Sequence, residues 1–487
     1  MFRFNRDELR DRIYACWIGK NIGGTMGTPY EGQQKINDIK GFSTAEGVVL
    51  PNDDLDLQLI WLKAMEEQGP LGVDEKVLGE YWITYIGPNW NEYGIGKSNM
   101  KAGFFPPMSG EMDNLRWKHS NGAWIRSEIW ASLFPGQPDK AMKYAYYDAC
   151  VDHGHGEGTV AALFTAALES MAYVVHDMKT LLSLALTKIP SDSRVYRSVS
   201  LVMEEYEKGS DWKDVRELVV KDSADLGWFQ APANIAFTVI GLLWGEGDFK
   251  KTLITAINCG DDTDCTGATA GALMGIIYGS AGIPEDWKRH LGDQIVTACL
   301  LKGHGGYPAT CTQLTDTVMN LLPTTLYIPL MAQASRYPAV ISQGQTDFEN
   351  FNPDMYRGSD IADSLLKHSG WSLRYSNILC EAVVEFESEP KISPMGTVCG
   401  KISLRQSVFP EQKRFSLKWY CPEGFSAESR HSLHTHPVWS YSVDECEAIT
   451  DFRITAGEKT EAVNEVVLEI SVDGRPTALF IPIRILG

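Results

Sequence analysis

Two short acidic clusters stand out among the residues whose types and spacing could do chemistry. They are Asn52-Asp53-Asp54-Leu55-Asp56 and Asp261-Asp262-Thr263-Asp264. Helix capping explains a single aspartate, because its carboxylate accepts hydrogen bonds from free backbone N–H groups and complements the helix dipole. Three acids within four residues exceed what a cap needs, and hard oxygen ligands suit Mg²⁺ or Mn²⁺. Each cluster alone fits a cap as well as a metal site, and the presence of two favours the metal site.

The second cluster belongs to a longer recognisable motif. The stretch 258–264 (NCGDDTD), with the small-residue run 265–272 after it, resembles the N-x-G-x-D-T-D signature of ADP-ribosylglycohydrolases. Three further segments resemble that family in the same order along the chain. Residues 11–31 are similar to its opening helix and glutamate loop. Residues 52–54 are similar to its Thr-Asp-Asp motif, and residues 153–158 (HGHGEG) are similar to its His-containing turn.

This resemblance implies an all-α fold in which both clusters meet around two divalent cations, Mg²⁺ or Mn²⁺. Glu31 stands at the position of the family's active-site glutamate, which makes it the implied catalytic residue. The implied metal ligands are Asn52, at the place of a threonine, and Asp53, Asp54, Asp262 and Asp264. The implied substrate-binding residues are Asn121, Gly122, Arg126 and His153, although a structural role for His153 stays open.

The implied activity is metal-dependent hydrolysis of a glycosidic bond at the anomeric carbon of ADP-ribose or a related ribofuranoside. The substrate would be a small molecule or an ADP-ribosylated or glycosylated partner. Two metals can hold sugar hydroxyls and activate a water, and Glu31 would assist proton transfer. Two alternatives stay open: a furanoside glycosidase acting on a glycan or nucleoside, and a non-catalytic ADP-ribose-binding protein.

The sequence departs from the family pattern at three positions near the implied site. Gly24 stands where many members have Asp, Leu55 replaces a threonine, and Cys265 replaces a hydroxyl residue. A thiol is a poor ligand for Mg²⁺, so we expect the metal position near Cys265 to be weaker or to use a water instead. The alternative is that Cys265 points into the helix packing.

An aromatic region follows the first acidic cluster, with many Trp and Tyr residues between positions 81 and 130. Most of these side chains are expected in the core. Residues 93–110, which are rich in Gly and Pro, are predicted to form a long irregular loop, and loops of this kind are often functional. We expect this loop to govern which leaving group is accepted.

The elements that must position these residues change character along the chain. Up to about residue 325, apolar residues recur at spacings of three and four, which predicts helices. The clearest cases are 54–67, 138–151, 159–175 and 233–243. After Pro338, short runs rich in Val, Ile, Phe and Thr predict strands at 381–386, 400–408, 414–420, 465–472 and 478–486.

These patterns predict two domains, as a chain of 487 residues also does by its length. We expect an all-α ADP-ribosylglycohydrolase-like catalytic domain over residues 1–340 and a linker or domain tail over 341–370. A smaller all-β, immunoglobulin-like sandwich domain is expected over 371–487. Because every candidate residue precedes position 290, we expect the β-sandwich to fold by itself and to be dispensable for the chemistry.

The excess of acidic residues excludes some partners. The chain carries 63 Asp and Glu against 44 Lys and Arg, a net charge of −19. Binding to a phosphate backbone or an anionic membrane relies on Lys and Arg, so neither nucleic acid nor membrane is an expected partner. The N-terminal segment is charged where a signal peptide would be apolar. We expect a cytoplasmic protein, or an extracytoplasmic one if a signal peptide was removed.

Overall fold

The computed structural model describes residues 2–301, 305–332, 339–346, 348, 351–358, 360–406, 413–435 and 447–487. The chain forms two compact units. The helical unit comprises Met1–Lys97 and Asp113–Leu366, and the β unit comprises Ser98–Met112 and Lys367–Gly487. Residues 407–408 of the second predicted strand, 400–408, lie outside the described residues.

The helices occupy most of the chain before residue 335. They are α1 (Arg6–Gly27), α2 (Asp53–Gln68), α3 (Glu75–Tyr85), α4 (Asn91–Lys101), α5 (Met108–Glu111), α6 (Glu128–Leu133), α7 (Pro138–His153), α8 (Glu157–Ala172), α9 (Met178–Leu186), α10 (Arg194–Glu207), α11 (Trp212–Asp222), α12 (Ala231–Trp244), α13 (Phe249–Asn258), α14 (Thr263–Tyr278), α15 (Glu285–Leu291), α16 (Cys311–Ala332) and α17 (Ile361–Leu365). The predicted helices at 54–67, 138–151, 159–175 and 233–243 are confirmed as α2, α7, α8 and α12.

The strands follow, apart from one at the N-terminus. They are β1 (Phe2–Asn5), β2 (Ala339–Ser342), β3 (Ser372–Ser376), β4 (Cys380–Phe386), β5 (Thr397–Gln406), β6 (Lys413–Tyr420), β7 (Ser426–Ser429), β8 (Ser432–Thr435), β9 (Glu447–Thr455), β10 (Val463–Val472) and β11 (Ala478–Leu486). In the helical unit β1 pairs with β2 in parallel. In the β unit two antiparallel sheets, ordered β11-β10-β6-β8 and β3-β4-β5-β9-β7, share one apolar core.

The packing of α1 against α14 is the closest helix contact that positions the acidic clusters. A Cβ added to Gly23 would lie 1.9 Å from the carbonyl oxygen of Gly267, and one added to Gly19 would lie 2.1 Å from that of Gly271. Such distances are possible only between residues without side chains, so the two backbones touch directly. The small residues of the predicted signature helix therefore serve this contact.

The predicted boundary between the two domains was wrong for residues 98–112. The side chains of Phe104, Met108 and Met112 are buried in the same apolar core as the strands of the β unit. The Asn99 side-chain amide donates to the carbonyl oxygens of Ser109 and Met112, both at 2.8 Å, and so fixes this segment. A β-sandwich cut at residue 371 would lack three apolar side chains of its core, and we expect it to be less stable than the intact unit.

The irregular loop predicted over 93–110 was also wrong, because α4 and α5 occupy most of it. Its glycines favoured a loop, but Gly96 faces α7, where an added Cβ would lie 3.1 Å from the carbonyl oxygen of Val151. Here glycine allows a close helix approach. The predicted linker at 341–370 likewise contains the end of β2 and the whole of α17, and it belongs to the helical unit up to Leu366.

No helix within the described residues combines the length and apolar character that a bilayer crossing requires.

The contact between α1 and α14 predicts a large effect of one added methyl group. Replacing Gly23 by Ala should lower the free energy of unfolding by about 3 kcal/mol, the upper part of the usual range for overpacking, because two backbones must move apart. Urea unfolding followed by circular dichroism measures this. Gly305→Ala is the matched control, since an added Cβ there meets nothing within 4 Å; equal stability of the two variants would contradict the tight contact.

Candidate active site

The close α1–α14 contact brings the end of α1 beside the start of α14. After α1 the chain reaches Glu31, and the next residues bond to the second acidic cluster. The Gly32 N–H donates to the carbonyl oxygen of Asp261 at 2.8 Å, and the Asp261 N–H donates to that of Gln33 at 3.0 Å. Gly260 has φ of +81°, and an added Cβ there would lie 2.2 Å from the Lys35 carbonyl oxygen. Glu31 is thereby held next to Asp262 and Asp264.

The start of α2 supplies the first acidic cluster. Asn52 is the N-cap, and its side-chain oxygen accepts the Asp54 N–H at 2.8 Å. Gly24 makes room for this side chain, because an added Cβ would lie 2.1 Å from the Asn52 amide nitrogen. Gly24 and Asn52, which both differ from the family pattern, therefore fit one another. Since Asn52 already caps the helix, capping does not explain Asp53 and Asp54.

The carboxylates of this cluster differ in their partners. Asp53 accepts a hydrogen bond from the Tyr93 hydroxyl at 2.9 Å. Asp54 is 1% exposed, and neither of its carboxylate oxygens has a hydrogen-bond partner among the residues that the structure describes. An unpartnered buried carboxylate is costly unless a cation compensates it.

The start of α14 supplies the second cluster. Asp262 occupies the N-cap position but makes no capping hydrogen bond. Its carboxylate accepts instead from the side-chain amide of Asn121 at 2.7 Å. Asp264 is buried, and within the described part of the chain one of its carboxylate oxygens has no hydrogen-bond partner. Capping therefore fails to explain these two acids as well.

The two clusters meet in space around Asp264. Ligand atoms of Asp54, Asp264 and Cys265 lie within 4.8 Å of one another, as do those of Glu31, Asp262 and Asp264. Buried oxygens without hydrogen-bond donors are what a hard divalent cation requires. These residues consequently fit a divalent metal centre.

Burial and mutual repulsion disfavour the ionised forms of these acids. Burial raises the pKa of Asp54 well above its usual range. Burial, followed by the charges of Asp262 and Asp54, does the same to the pKa of Asp264. Burial and the charges of Asp262 and Asp53 raise the pKa of Glu31 to about 7. A group with such a pKa can both give and take a proton near neutral pH.

The other acids of the two clusters have structural partners. Asp56 accepts from the N–H groups of Ala298 and Cys299, which ties the loop there to α2. Asp261, which has φ of +65°, accepts from the Phe229 N–H at 3.2 Å and from the Asn234 side-chain amide at 3.0 Å. Both therefore position the site through these hydrogen bonds.

A cavity of about 370 Å³ opens onto the acidic groups. This size lies within the range of small-molecule sites. It is lined by Thr28, Glu31, Pro51, Asp53, Trp90, Asn91, Glu92, Tyr93, Trp117, Ser120, Asn121, Gly122, Ile125, Phe229, Asp262, Asp264, Cys265 and Ala298. Of the segment 93–110, only Tyr93 is in this lining.

The residues that the resemblance implied for substrate binding divide into two pairs. Asn121 and Gly122 line the cavity, whereas Arg126 and His153 do not. Arg126 is fully buried, and its guanidinium donates to Asp148 at 2.7 Å, to Asp152 at 2.7 Å and to the Gly122 carbonyl at 2.6 Å. Its place in the structure is thus beneath the cavity wall.

His153 is also fully buried, with both ring nitrogens in hydrogen bonds. Nδ1 pairs with the Asp152 carboxylate at 2.8 Å and Nε2 with the Ser120 hydroxyl at 3.1 Å. These contacts match the structural role that the sequence left open. His153 holds Ser120, which does line the cavity.

Three residues at the site belong to none of the sequence motifs: Glu92, Phe229 and Asn234. Phe229 has φ of +60°, and strained backbone in non-glycine residues often marks functional sites. Asn234 fixes Asp261 from the first turn of α12. No sequence signal identifies these residues, because their roles depend on contacts between distant segments.

Comparisons with known proteins identify the family of this chain. Residues 5–318 match the family model described as ADP-ribosylglycohydrolase, which confirms the resemblance drawn from the motifs. ADP-ribosylhydrolase ARH3 of Bos taurus is 25% identical over 200 residues, covering 36% of this chain and 54% of that one.

Shorter matches concern two proteins named ADP-ribosylarginine hydrolase Tri1. That of Pseudomonas putida (strain GB-1) is 40% identical over 45 residues, 9% of this chain and 12% of its own. That of Serratia proteamaculans (strain 568) is 36% identical over 52 residues, which cover 11% of this chain and 14% of its own. The matches thus span about half of one relative and less than a fifth of the other two.

The raised pKa values predict how the protein behaves without divalent ions. Above pH 5 the unfolded state has released the carboxyl protons of Glu31 and Asp264, whereas the folded state still holds them, since the pKa of Glu31 is about 7 and that of Asp264 is raised. Because the folded state binds more protons, the free energy of unfolding falls as the pH rises through 7. In a chelator, Asp264→Asn should raise the free energy of unfolding at pH 8 by about 1–3 kcal/mol and flatten its pH dependence. Thermal unfolding at pH 5.5 and pH 8 measures both.

Asp192→Asn, at an exposed position, is the control for this measurement. A loss of stability in Asp264→Asn at pH 8, relative to this control, would mean that the ionised carboxylate stabilises the fold. The proposed repulsion would then be wrong.

Proposed function

The chain belongs to the ADP-ribosylglycohydrolase family, and we propose on this basis that it hydrolyses a glycosidic bond at the anomeric carbon of ADP-ribose or a related ribofuranoside. The observation that carries the proposal is the position of Asp264. It lies beside Glu31 at the cavity and beside the buried carboxylate of Asp54, whose oxygens have no hydrogen-bond partner among the described residues. The substrate would be a small molecule or an ADP-ribosylated or glycosylated partner.

Two divalent cations, Mg²⁺ or Mn²⁺, are the proposed cofactors. Asp53, Asp54, Asp262 and Asp264 would hold them, and Asn52 could add a ligand, since an amide oxygen that accepts one hydrogen bond keeps a second lone pair. When bound, such cations supply charge that offsets the carboxylates and acidifies a water molecule. The buried oxygens without donors support this assignment.

Glu31 is the proposed proton carrier. Hydrolysis breaks the bond between the anomeric carbon and the leaving group, adds the oxygen of water to that carbon, and moves one proton from water to the leaving group. Glu31 would carry that proton, in the role that carboxyl groups have in other glycosidases. Its pKa of about 7, and the backbone hydrogen bonds that join the next residues, Gly32 and Gln33, to Asp261, support this role.

Neighbouring side chains would keep the reacting groups in place. The Asn121 amide holds Asp262, and its own oxygen accepts the Trp124 indole N–H at 3.0 Å. The Tyr93 hydroxyl holds Asp53 in the same way. The rings of Trp90 and Phe229 in the cavity wall offer apolar faces on which a base or sugar could stack.

The first prediction from this function concerns Glu31. Glu31→Gln should lower kcat about 100- to 10,000-fold with little change in KM, because the lost proton transfer matters mainly in the transition state. The assay measures ADP-ribose released from an ADP-ribosylated peptide with Mg²⁺ or Mn²⁺ present, and a chelator should abolish it.

Glu46→Gln serves as the matched control, because Glu46 is exposed in the same long loop and does not line the cavity. Full activity of Glu31→Gln, or of the wild type after exhaustive chelation, would contradict the proposed chemistry. Binding of ADP-ribose with no release from any substrate would favour the alternative of a non-catalytic binder. Release of sugar from a glycan or nucleoside alone would favour the furanoside glycosidase.

A second prediction concerns Cys265, whose thiol lies beside Asp54 and Asp264. Burial raises the pKa of this thiol well above its usual range, and the charge of Asp262 adds to the effect, so the group stays neutral. A neutral thiol is a poor ligand for Mg²⁺. Cys265→Thr should therefore tighten one of two Mg²⁺ sites and leave the other unchanged in a calorimetric titration. Unchanged affinity at both sites would show that Cys265 acts only in packing.

A further inference from the structure

Lys20 is a buried cation in the second half of α1. It is 1% exposed, and its Nζ atom donates to Glu128 Oε1 and to the Ile125 carbonyl oxygen, both at 2.7 Å. Glu128, in the first turn of α6, is fully buried as well. Neither charged residue lines the cavity. The proposed hydrolysis gives this ion pair no role.

The side chain of Gln58 connects the ion pair to the start of α2. Its amide nitrogen donates to Glu128 Oε2 at 2.9 Å and to the Asp54 carbonyl oxygen at 2.8 Å. Its amide oxygen accepts the Ile129 N–H at 2.7 Å. The helical turn that carries Asp54 is thereby fixed to Glu128 and, through Glu128, to Lys20. Helices α1, α2 and α6 meet in this network.

The charge of Lys20 acts on the carboxylate of Asp54. Burial raises the pKa of Asp54, and Lys20 is the largest influence after burial and acts in the opposite direction, ahead of the charge of Glu128. In return, burial lowers the pKa of Lys20, but the charges of Glu128 and then Asp54 outweigh burial and raise it. The ion pair therefore presents its positive end to Asp54.

A third buried acid near the ion pair does not cancel the charge of Lys20. Burial, followed by the charge of Glu128, raises the pKa of Glu169 well above its usual range, so this carboxyl group stays protonated near neutral pH. It accepts a hydrogen bond from the Ser127 hydroxyl at 2.9 Å. Within this cluster, Glu128 is consequently the group that balances Lys20.

A divalent cation beside Asp54 would be repelled by Lys20 and attracted by Glu128. Charges in a protein interior interact over several ångströms, because the interior screens them far less than water does. Since the positive end of the pair faces Asp54, the repulsion exceeds the attraction. In the metal-free protein the same positive charge offsets that of the Asp54 carboxylate. The ion pair thus favours the metal-free site over the metal-bound one.

We propose that Lys20 and Glu128 are positioning residues that set the affinity of the cation site at Asp54 through the balance of their charges. The inference rests on the proposed function for the presence of a divalent cation at Asp54. Lys20 takes the place of that cation in the metal-free protein, and Glu128 limits how strongly Lys20 opposes metal binding. Gln58 keeps the Asp54 turn in a fixed position relative to both.

Mn²⁺ affinities measured by calorimetry test this charge balance. Asp54→Asn identifies the site, because this variant should lose one of the Mn²⁺ binding events. Glu128→Gln keeps the size of the side chain but leaves Lys20 uncompensated. It should weaken Mn²⁺ binding at the Asp54 site at least about tenfold.

Adding Lys20→Met to Glu128→Gln separates the effect of charge from that of packing. Removing the uncompensated cation should restore Mn²⁺ binding and make it at least about threefold tighter than in wild type. Neutral residues of similar volume often replace a buried ion pair without loss of stability, so the double variant should fold even where Glu128→Gln does not. A double variant that binds Mn²⁺ no more tightly than wild type would overturn the proposal, as would unchanged binding in Glu128→Gln.

Glu207→Gln, with and without Lys179→Met, is the matched control. Lys179 and Glu207 form an exposed ion pair at 2.6 Å and do not line the cavity. These variants change the net charge by the same amounts and should leave the Mn²⁺ affinity unchanged; equal shifts in the control would overturn the proposal. A wild type that binds Mn²⁺ but hydrolyses no substrate would contradict the proposed function alone, whereas a wild type that binds no Mn²⁺ would overturn this inference as well.

Discussion

The direct contact between the backbones of α1 and α14 is the constraint on which the site depends. Gly19 and Gly23 on one helix meet Gly271 and Gly267 on the other, so no side chain separates the two axes. The short distance between the two helix axes fixes the position of the end of α1, and therefore the position of Glu31 relative to the start of α14. A wider spacing would move the glutamate away from Asp262 and Asp264. The small residues of both helices are thus part of the site's geometry, although none of these four lines the cavity.

Near this contact the helical unit contains two kinds of buried charged group, those in ion pairs and those without one. Lys20 pairs with Glu128 at 2.7 Å, and Arg126 pairs with Asp148 and Asp152, so that these ions stabilise the wall beneath the cavity. By contrast, the carboxylates at the cavity form no ion pair with a cationic side chain of the described residues. Leaving these carboxylates unpaired costs stability, since burial disfavours their charged forms. That cost is consistent with a site that binds cations, because a bound ion would recover it.

The segments that carry the site are held by a second layer of hydrogen bonds. Asn121 holds Asp262, Tyr93 holds Asp53, and Asn234 holds Asp261. Each of these partners comes from a different helix or loop from the acid that it holds. The positions of the acids consequently depend on the packing of the whole helical unit, and local backbone strain at Phe229 and Asp261 is maintained by that packing.

The sequence by itself determined the helical periodicity, the main strands, the family motif and the two acidic clusters, because each of these is a local pattern of residue types. It could not separate Asp54, which accepts no hydrogen bond from the described residues with either oxygen, from Asp56 and Asp261, whose carboxylates accept backbone N–H groups, since all three occur in the same kind of acidic run. It also placed residues 98–112 in the wrong unit, because an apolar side chain such as Phe104 does not indicate which core receives it. Only the tertiary structure decided these points and brought Glu92 into the cavity wall, since burial and hydrogen-bond partners come from segments far apart in the chain.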